Sequence, residues 1–206
     1  MAEEIRDAAL RPETSGTFVC VTGPSGAGKD TLIRLARAEL GDDPGFLFPR
    51  RLVTRLTSAS EDHDSLSPTQ FEAGVRDGLF ALHWRAHGLG YAIERGIVPA
   101  IAAGRTVVCN ISRDSIAAAR QRFAHVKVVC VTAPEAVIAA RLAGRGRETA
   151  ADLSERLSRN AYYTAQIGAD LTIDNRGKQE DAAGAFARFL IALRSRRHDA
   201  DECDPR

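Results

Sequence analysis

The sequence predicts an α/β domain in three layers, a mainly parallel sheet with helices on both faces. Three observations carry this expectation. Runs of five or six largely apolar, β-branched residues recur at 17–22, 106–111 and 126–131, as expected of parallel strands buried on both sides. Segments with apolar residues at helical spacing lie between them, and strands alternating with helices build right-handed crossovers into a parallel sheet. A chain of 206 residues also suffices for one domain with a full core.

Taken in order, residues 1 to about 15 are polar without a sustained pattern and read as a loose arm. The strand at 17–22 leads into Gly23-Pro24-Ser25-Gly26-Ala27-Gly28-Lys29-Asp30-Thr31. Leu32, Ile33, Leu35, Ala36 and Leu40 then recur at helical spacing until Gly41, a C′ stop. Residues 46–54 form a second extended segment. Ser67, Pro68 and Gln70 supply an N-cap, a proline at N1 and a capping-box partner at N3 for a helix through Val75. Strands at 80–84 and 91–93 flank a hairpin turn at 86–90. A helix from about 94 to 103 ends at Gly104, and a buried strand follows at 106–111. Residues 115–123 are helical and 126–131 a further buried strand. Thr132-Ala133-Pro134-Glu135 reads as another capping box, opening a helix through Leu142. A short strand at 171–173, an amphipathic helix at 180–193 and a disordered charged tail from Ser195 complete the chain. The folded part is one domain at 16–194, with an insert at about 50–94 and a lid at about 144–150.

The 28 basic and 27 acidic side chains leave a net charge of +1, which argues against nucleic acid or a membrane surface as partner. No apolar run reaches the ~20 residues of a membrane span. Glu3 and Glu4 stand where a secretory leader would be basic, so the expectation is a soluble, cytoplasmic protein. Cys20, Cys109 and Cys130 sit in strand-like runs and Cys203 in the polar tail. None has metal-ligand spacing, as expected of reduced core thiols.

Strand, glycine-rich turn and helix in that order are the setting in which G-x-x-x-x-G-K cradles phosphate, so the fold class is that of a P-loop NTPase. The glycines let backbone N–H groups converge on an anion, and the helix start adds roughly half a positive charge. Lys29 can reach β- and γ-phosphates. Gly23, Pro24, Ser25, Gly26, Ala27, Gly28, Lys29, Asp30 and Thr31 are therefore read as nucleotide-binding, with ATP and Mg²⁺ as ligands. The residue after the lysine ordinarily offers Mg²⁺ a Ser or Thr hydroxyl. Here it is Asp30, followed by Thr31. Either Thr31 takes that role, or the Asp30 carboxylate acts on the metal directly or through water. Arginines gather at Arg50, Arg51 and Arg55, and again at Arg141, Arg145 and Arg147 around Gly144 and Gly146. A helix that breaks at glycines among arginines describes a flap able to close basic side chains over phosphates.

Gly23 to Lys29 with Thr31, Val53-Thr54-Arg55, Trp84 with His87-Gly88-Leu89-Gly90-Tyr91, and Arg141-Leu142 with Arg145-Gly146-Arg147 resemble the guanylate-kinase-like group of P-loop kinases. The resemblance spans about residues 17–193. Within the group, Gly28-Lys29-Asp30-Thr31, the run from Val53 to Glu61-Asp62-His63, and Asn110-Ile111-Ser112-Arg113 resemble the ribose 1,5-bisphosphate phosphokinases. Guanylate kinases carry a tyrosine-bearing stretch after the Thr-Arg segment, where this chain has none. They also carry acids after the third strand, where it has Asn110 and Arg113. Both departures fit an acceptor with more phosphate and no base to read.

The resemblance implies ATP-dependent phosphorylation of ribose 1,5-bisphosphate to 5-phosphoribosyl 1-diphosphate, in phosphonate breakdown and supply of that product. The partner it implies is a small phosphorylated sugar. It further implies Lys29 with Mg²⁺ on the β/γ-phosphates, Arg145 and Arg147 on the transferring group, and Arg141 assisting. Arg55 would grip the acceptor phosphate and Arg113 a second one. Glu61 stands for a ribose contact or an exposed loop acid, and His63 for an acceptor contact or a turn residue. Asp174-Asn175 borders the adenine or makes a turn. Trp84 and Tyr91 are expected to pack the insert. The rival readings are a guanylate or other nucleoside monophosphate kinase and, from another class, a catalytically inactive guanylate-kinase-like binding module. Lys29, Thr31 and the flap arginines argue against the module. A homodimer is compatible with the sequence.

Overall fold

In the computed structural model, which describes residues 16–56, 63–143 and 167–202, strand β1 (Thr17–Thr22) is buried along its whole length. It runs parallel to β7 (Thr106–Asn110) on one side and β8 (Val126–Thr132) on the other. β2 (Phe46–Leu47) lies beyond β7 and β9 (Leu171–Asp174) beyond β8, giving an all-parallel sheet ordered β2-β7-β1-β8-β9.

Alternation along β1 explains the two layers upon it. Val19 and Val21 share a core with Leu32 and Ile33 of α1 (Lys29–Leu40) and with Phe186 and Leu190 of α6 (Gln179–Glu202). Phe18 and Cys20 pack on the opposite face against α3 (Ile97–Ala102) and α4 (Ile116–Arg122). There Phe18 stacks on Phe123 with ring centroids 4.6 Å apart.

Residues 51–56 and 63–94 build a second sheet, ordered β4-β3-β6-β5. Its strands are β3 (Arg51–Val53), β4 (His63–Ser65), β5 (Phe80–Ala86) and β6 (Leu89–Glu94). Phe71 of α2 (Pro68–Arg76) stacks on Phe80, and Trp84 stacks on Tyr91 at 5.4 Å with planes 5° apart. Ala81, Leu82 and Ile93 belong to the same core cluster as Phe18 and Cys20, so the small sheet packs onto the large one.

Several local expectations hold. The capping box forms at Ser67: its hydroxyl accepts from Gln70 N–H at 3.1 Å, and the Gln70 side chain accepts from Ser67 N–H at 2.7 Å. Gly104 is left-handed, as a stop after α3 requires. Other expectations are corrected. The extended segment 46–54 divides between the two sheets as β2 and β3. The hairpin turn is shorter than 86–90, because Ala86 pairs with Leu89 and leaves His87 and Gly88 alone at the tip. Both have positive φ, 51° and 73°, the geometry of a two-residue type I′ turn. No capping box forms at Thr132: it ends β8, and its hydroxyl donates to the Ile173 carbonyl at 3.3 Å. α5 (Glu135–Ala143) opens after Pro134 instead. Gly41 ends α1 with φ −66°, so it is right-handed rather than a left-handed C′ residue. α6 continues as helix through Ser195 to Glu202.

The arm 1–15, the stretch 57–62 with Glu61, the lid region 144–150 with Arg145 and Arg147, and Cys203 lie outside the described residues. Among the described residues no helix is long and apolar enough to cross a membrane.

Candidate active site

The chain leaves β1 at the carboxyl edge of the parallel sheet, where such sheets bind ligands. Gly23 turns there with φ 137°, and a Cβ on it would run into the Val131 carbonyl oxygen. Gly28 is left-handed at φ 95°, directly before α1. A Cβ at Gly28 would collide with the Asn175 amide nitrogen. Glycine is thus required at both ends of the loop, by backbone conformation and by close approach. The loop delivers the N-terminus of a twelve-residue helix to the site, with its excess positive potential. The Lys29 ammonium donates to the Gly23 and Pro24 carbonyls, both at 2.8 Å, and so lies across the loop.

A second set of contacts holds the loop from behind. The buried Ala27 carbonyl accepts from Asn175 Nδ2 at 2.7 Å and from Arg141 Nη1 at 3.4 Å. Arg141 Nη2 also donates to the Asn175 carbonyl at 3.0 Å, and Asn175 N–H to the Thr132 carbonyl at 2.7 Å. The turn after β9, the helix leading to the lid region and the phosphate loop therefore meet at the Ala27 carbonyl, and Asn175 ties them to the end of β8. Arg141, expected to assist from the flap's first helix, is placed on loop backbone. Asn175 is fully buried against the loop.

On the other side of the loop stands Asp30. Its Oδ1 accepts from Asn110 Nδ2, at the end of β7, at 2.6 Å. Arg51 Nη2, at the start of β3, approaches the same oxygen at 3.4 Å. The Asp30 side chain is 33% exposed and that of Arg51 15%, so the pair lies at the mouth of the site. The sequence singled out Arg51 only within an arginine run and Asn110 only as a departure from guanylate kinases, and gave neither a role at Asp30. The departure from Ser or Thr at position 30 was the available signal. Thr31 follows half-buried in the first turn of α1.

The remaining sequence-derived residues fall as follows. Arg55 is exposed just beyond β3, and Arg113 is half-buried in the short turn after β7. Burial raises the Cys130 thiol above its usual range, while Arg113 and Lys29 pull it back; both cations thus act on one point at the end of β8. Arg50 is committed within the small sheet, donating to the His63 carbonyl and pairing with Asp64, each at 2.8 Å. His63 itself is 0% exposed.

Among the described residues no group of three or more His, Cys, Asp or Glu could hold a metal ion. Asp30 and Thr31 nevertheless offer a carboxylate and a hydroxyl side by side. Such a sparse set of hard oxygens suits Mg²⁺, which keeps several waters and takes its other ligands from phosphate.

Comparison with known proteins places this geometry. A ribose 1,5-bisphosphate phosphokinase PhnN of Methylobacterium radiotolerans is 50% identical over 180 residues, covering 87% of this chain and 98% of the relative. The same-named protein of Bradyrhizobium diazoefficiens is 51% identical over 175 residues, covering 85% and 88%. Among solved structures, a guanylate kinase from Anaplasma phagocytophilum superposes with a TM-score of 0.64 at 16% identity, over 88% of each chain. That likeness is one of fold. No protein-family model matches the chain.

Proposed function

Since the chain belongs to the ribose 1,5-bisphosphate phosphokinases, we propose that it transfers the γ-phosphoryl group of ATP to the 1-phosphate of ribose 1,5-bisphosphate. The products are 5-phosphoribosyl 1-diphosphate and ADP. The observation that carries this reading is the meeting of a phosphate loop with arginine-bearing elements at one edge of the parallel sheet.

The nucleophile is a phosphate oxygen that is anionic at neutral pH, so the protein has little proton transfer to perform. Its work is alignment and neutralisation of charge. Lys29 swings from the Gly23 and Pro24 carbonyls onto the β- and γ-phosphates, in company with the N-terminus of α1. The Asn175 and Arg141 contacts to Ala27 keep the loop shaped for that load. Mg²⁺ would be held by Asp30 and Thr31, and when bound it screens the repulsion between phosphates. Arg55 and Arg113 receive the acceptor's two phosphates, and Arg145 and Arg147 close over the transferring group from the lid. Use of ATP, together with free buried thiols at Cys20, Cys109 and Cys130, fits a cytoplasmic enzyme.

The test is ADP release with ATP and Mg²⁺, comparing ribose 1,5-bisphosphate with GMP, AMP, dTMP and ribose 5-phosphate. Turnover confined to the bisphosphate, with 5-phosphoribosyl 1-diphosphate as product, is expected. Turnover with GMP alone would overturn the acceptor.

A further inference from the structure

Two residues beside the phosphate loop depart from the usual division of labour in P-loop nucleotide-binding proteins, and they touch. In that division the residue after the loop lysine offers a hydroxyl to Mg²⁺, and an acid on a neighbouring strand supplies a carboxylate. Here the helix start carries the carboxylate, Asp30. The strand beside β1, β7, ends in the amide of Asn110. Asn110 Nδ2 donates to Asp30 Oδ1 at 2.6 Å.

We infer that the acid has changed places: Asp30 presents from the helix the carboxylate that the strand end would otherwise present, and Asn110 is the positioning residue that orients it. The inference rests on the kinase reading and assigns cation control within that site.

The chemistry of the contact supports an exchange rather than two independent changes. Asn110 is 6% exposed, and its amide carries the N–H donor that an ionised acid at the same position would lack. An acid at both positions would set two carboxylate oxygens against each other and drive one to take up a proton. An acid at neither would leave the cation without a carboxylate. Every partner of Asp30 among the described residues meets Oδ1, which leaves Oδ2 for the cation or one of its waters. Arg51, on the same Oδ1, ties this arrangement to the small sheet.

Four proteins test the inference: the full chain, Asp30→Ser, Asn110→Asp and the double variant. Two readouts are taken, the melting temperature without Mg²⁺ and the calorimetric affinity for a non-hydrolysable ATP analogue with and without Mg²⁺. Asp30→Ser alters the nucleotide-binding loop itself, so it is judged by the ratio of its own affinities with and without Mg²⁺. It should lose at least about tenfold of the gain in affinity that Mg²⁺ confers. Asn110→Asp should melt lower than the parent. The double variant should recover the melting temperature and most of the Mg²⁺-dependent gain. A double variant no better than Asp30→Ser would overturn the exchange. So would Asp30→Ser retaining the whole gain, which would leave the cation to Thr31. Should Asp30→Ser fail to fold, Asp30→Asn removes the charge at constant shape and carries the same expectation. No acceptor is present in these measurements, so an error about the sugar phosphate would leave them standing and appear only in the turnover assay.

Discussion

Replacing Asn175 by alanine is the sharpest probe of how the phosphate loop is held. The substitution removes the 2.7 Å hydrogen bond to the Ala27 carbonyl and leaves that buried oxygen with Arg141 at 3.4 Å. Leaving a buried acceptor poorly satisfied costs about 1–3 kcal/mol. A partial offset comes from Asn175 Oδ1, which is buried without a partner among the described residues and disappears with the side chain. Its removal relieves about 1 kcal/mol, so the net loss is about 0–2 kcal/mol. In a chain of this size each kcal/mol moves the melting temperature by about 2–4 °C, and a fall of up to about 8 °C is expected. The loop must then be ordered by the nucleotide itself, so affinity for an ATP analogue should drop as well. Thermal unfolding of the ligand-free protein followed by calorimetric titration measures both. A melting temperature above the parent's, with weakened binding, would refute the reasoning and would assign Asn175 to direct contact with the adenine.

Lys29→Ala should abolish turnover while circular dichroism and melting stay near the parent, since the ammonium serves the loop and not the core; full kcat would overturn its role. Arg145→Ala should lower kcat by about 10²-fold or more with a smaller effect on ATP affinity, and equal losses in both would deny it a transition-state part. Gly23→Ala places a methyl against the Val131 carbonyl at a φ hostile to side chains, so poor folding or loss of nucleotide binding is expected and a normal enzyme would contradict the loop geometry. Burial pushes the Cys20 thiol from 9.0 up to about 12, and raises Cys109 as well. The unfolded chain therefore ionises first: the stability these thiols contribute is complete below pH 9 and is lost between pH 9 and 12. The loss should approach about 1.4 kcal/mol per pH unit for each thiol, and Cys109→Ala should flatten the slope seen in denaturant titrations.

The large sheet was legible because its strands are apolar on both faces, a property each run declares locally. The phosphate loop was legible for the same reason: its glycines, lysine and flanking elements are contiguous. The hairpin was visible but its length was not. His87 adopts a positive φ that its residue type does not announce, and only the pairing of Ala86 with Leu89 defines the turn. After Ser195, arginine, alanine and glutamate are good helix formers, and α6 continues through them. At the site, contacts between distant residues were hidden. Asp30 meets Asn110 across eighty positions, and Arg141 spends its charge on backbone carbonyls, which leave no trace in side-chain pattern.

The small sheet shares Ala81, Leu82 and Ile93 with the core beneath β1, and this decides how the molecule comes apart. Its own packing adds Phe71 against Phe80 under α2 and Trp84 against Tyr91. Because the core is shared, loss of the small sheet strips apolar cover from the large one and couples the two in unfolding. A ligand bound by the folded protein alone stabilises it by RT ln(1 + [L]/Kd). With the acceptor held on the small sheet as proposed, its affinity is expected to be readable as a shift in melting temperature, before any phosphoryl group has moved.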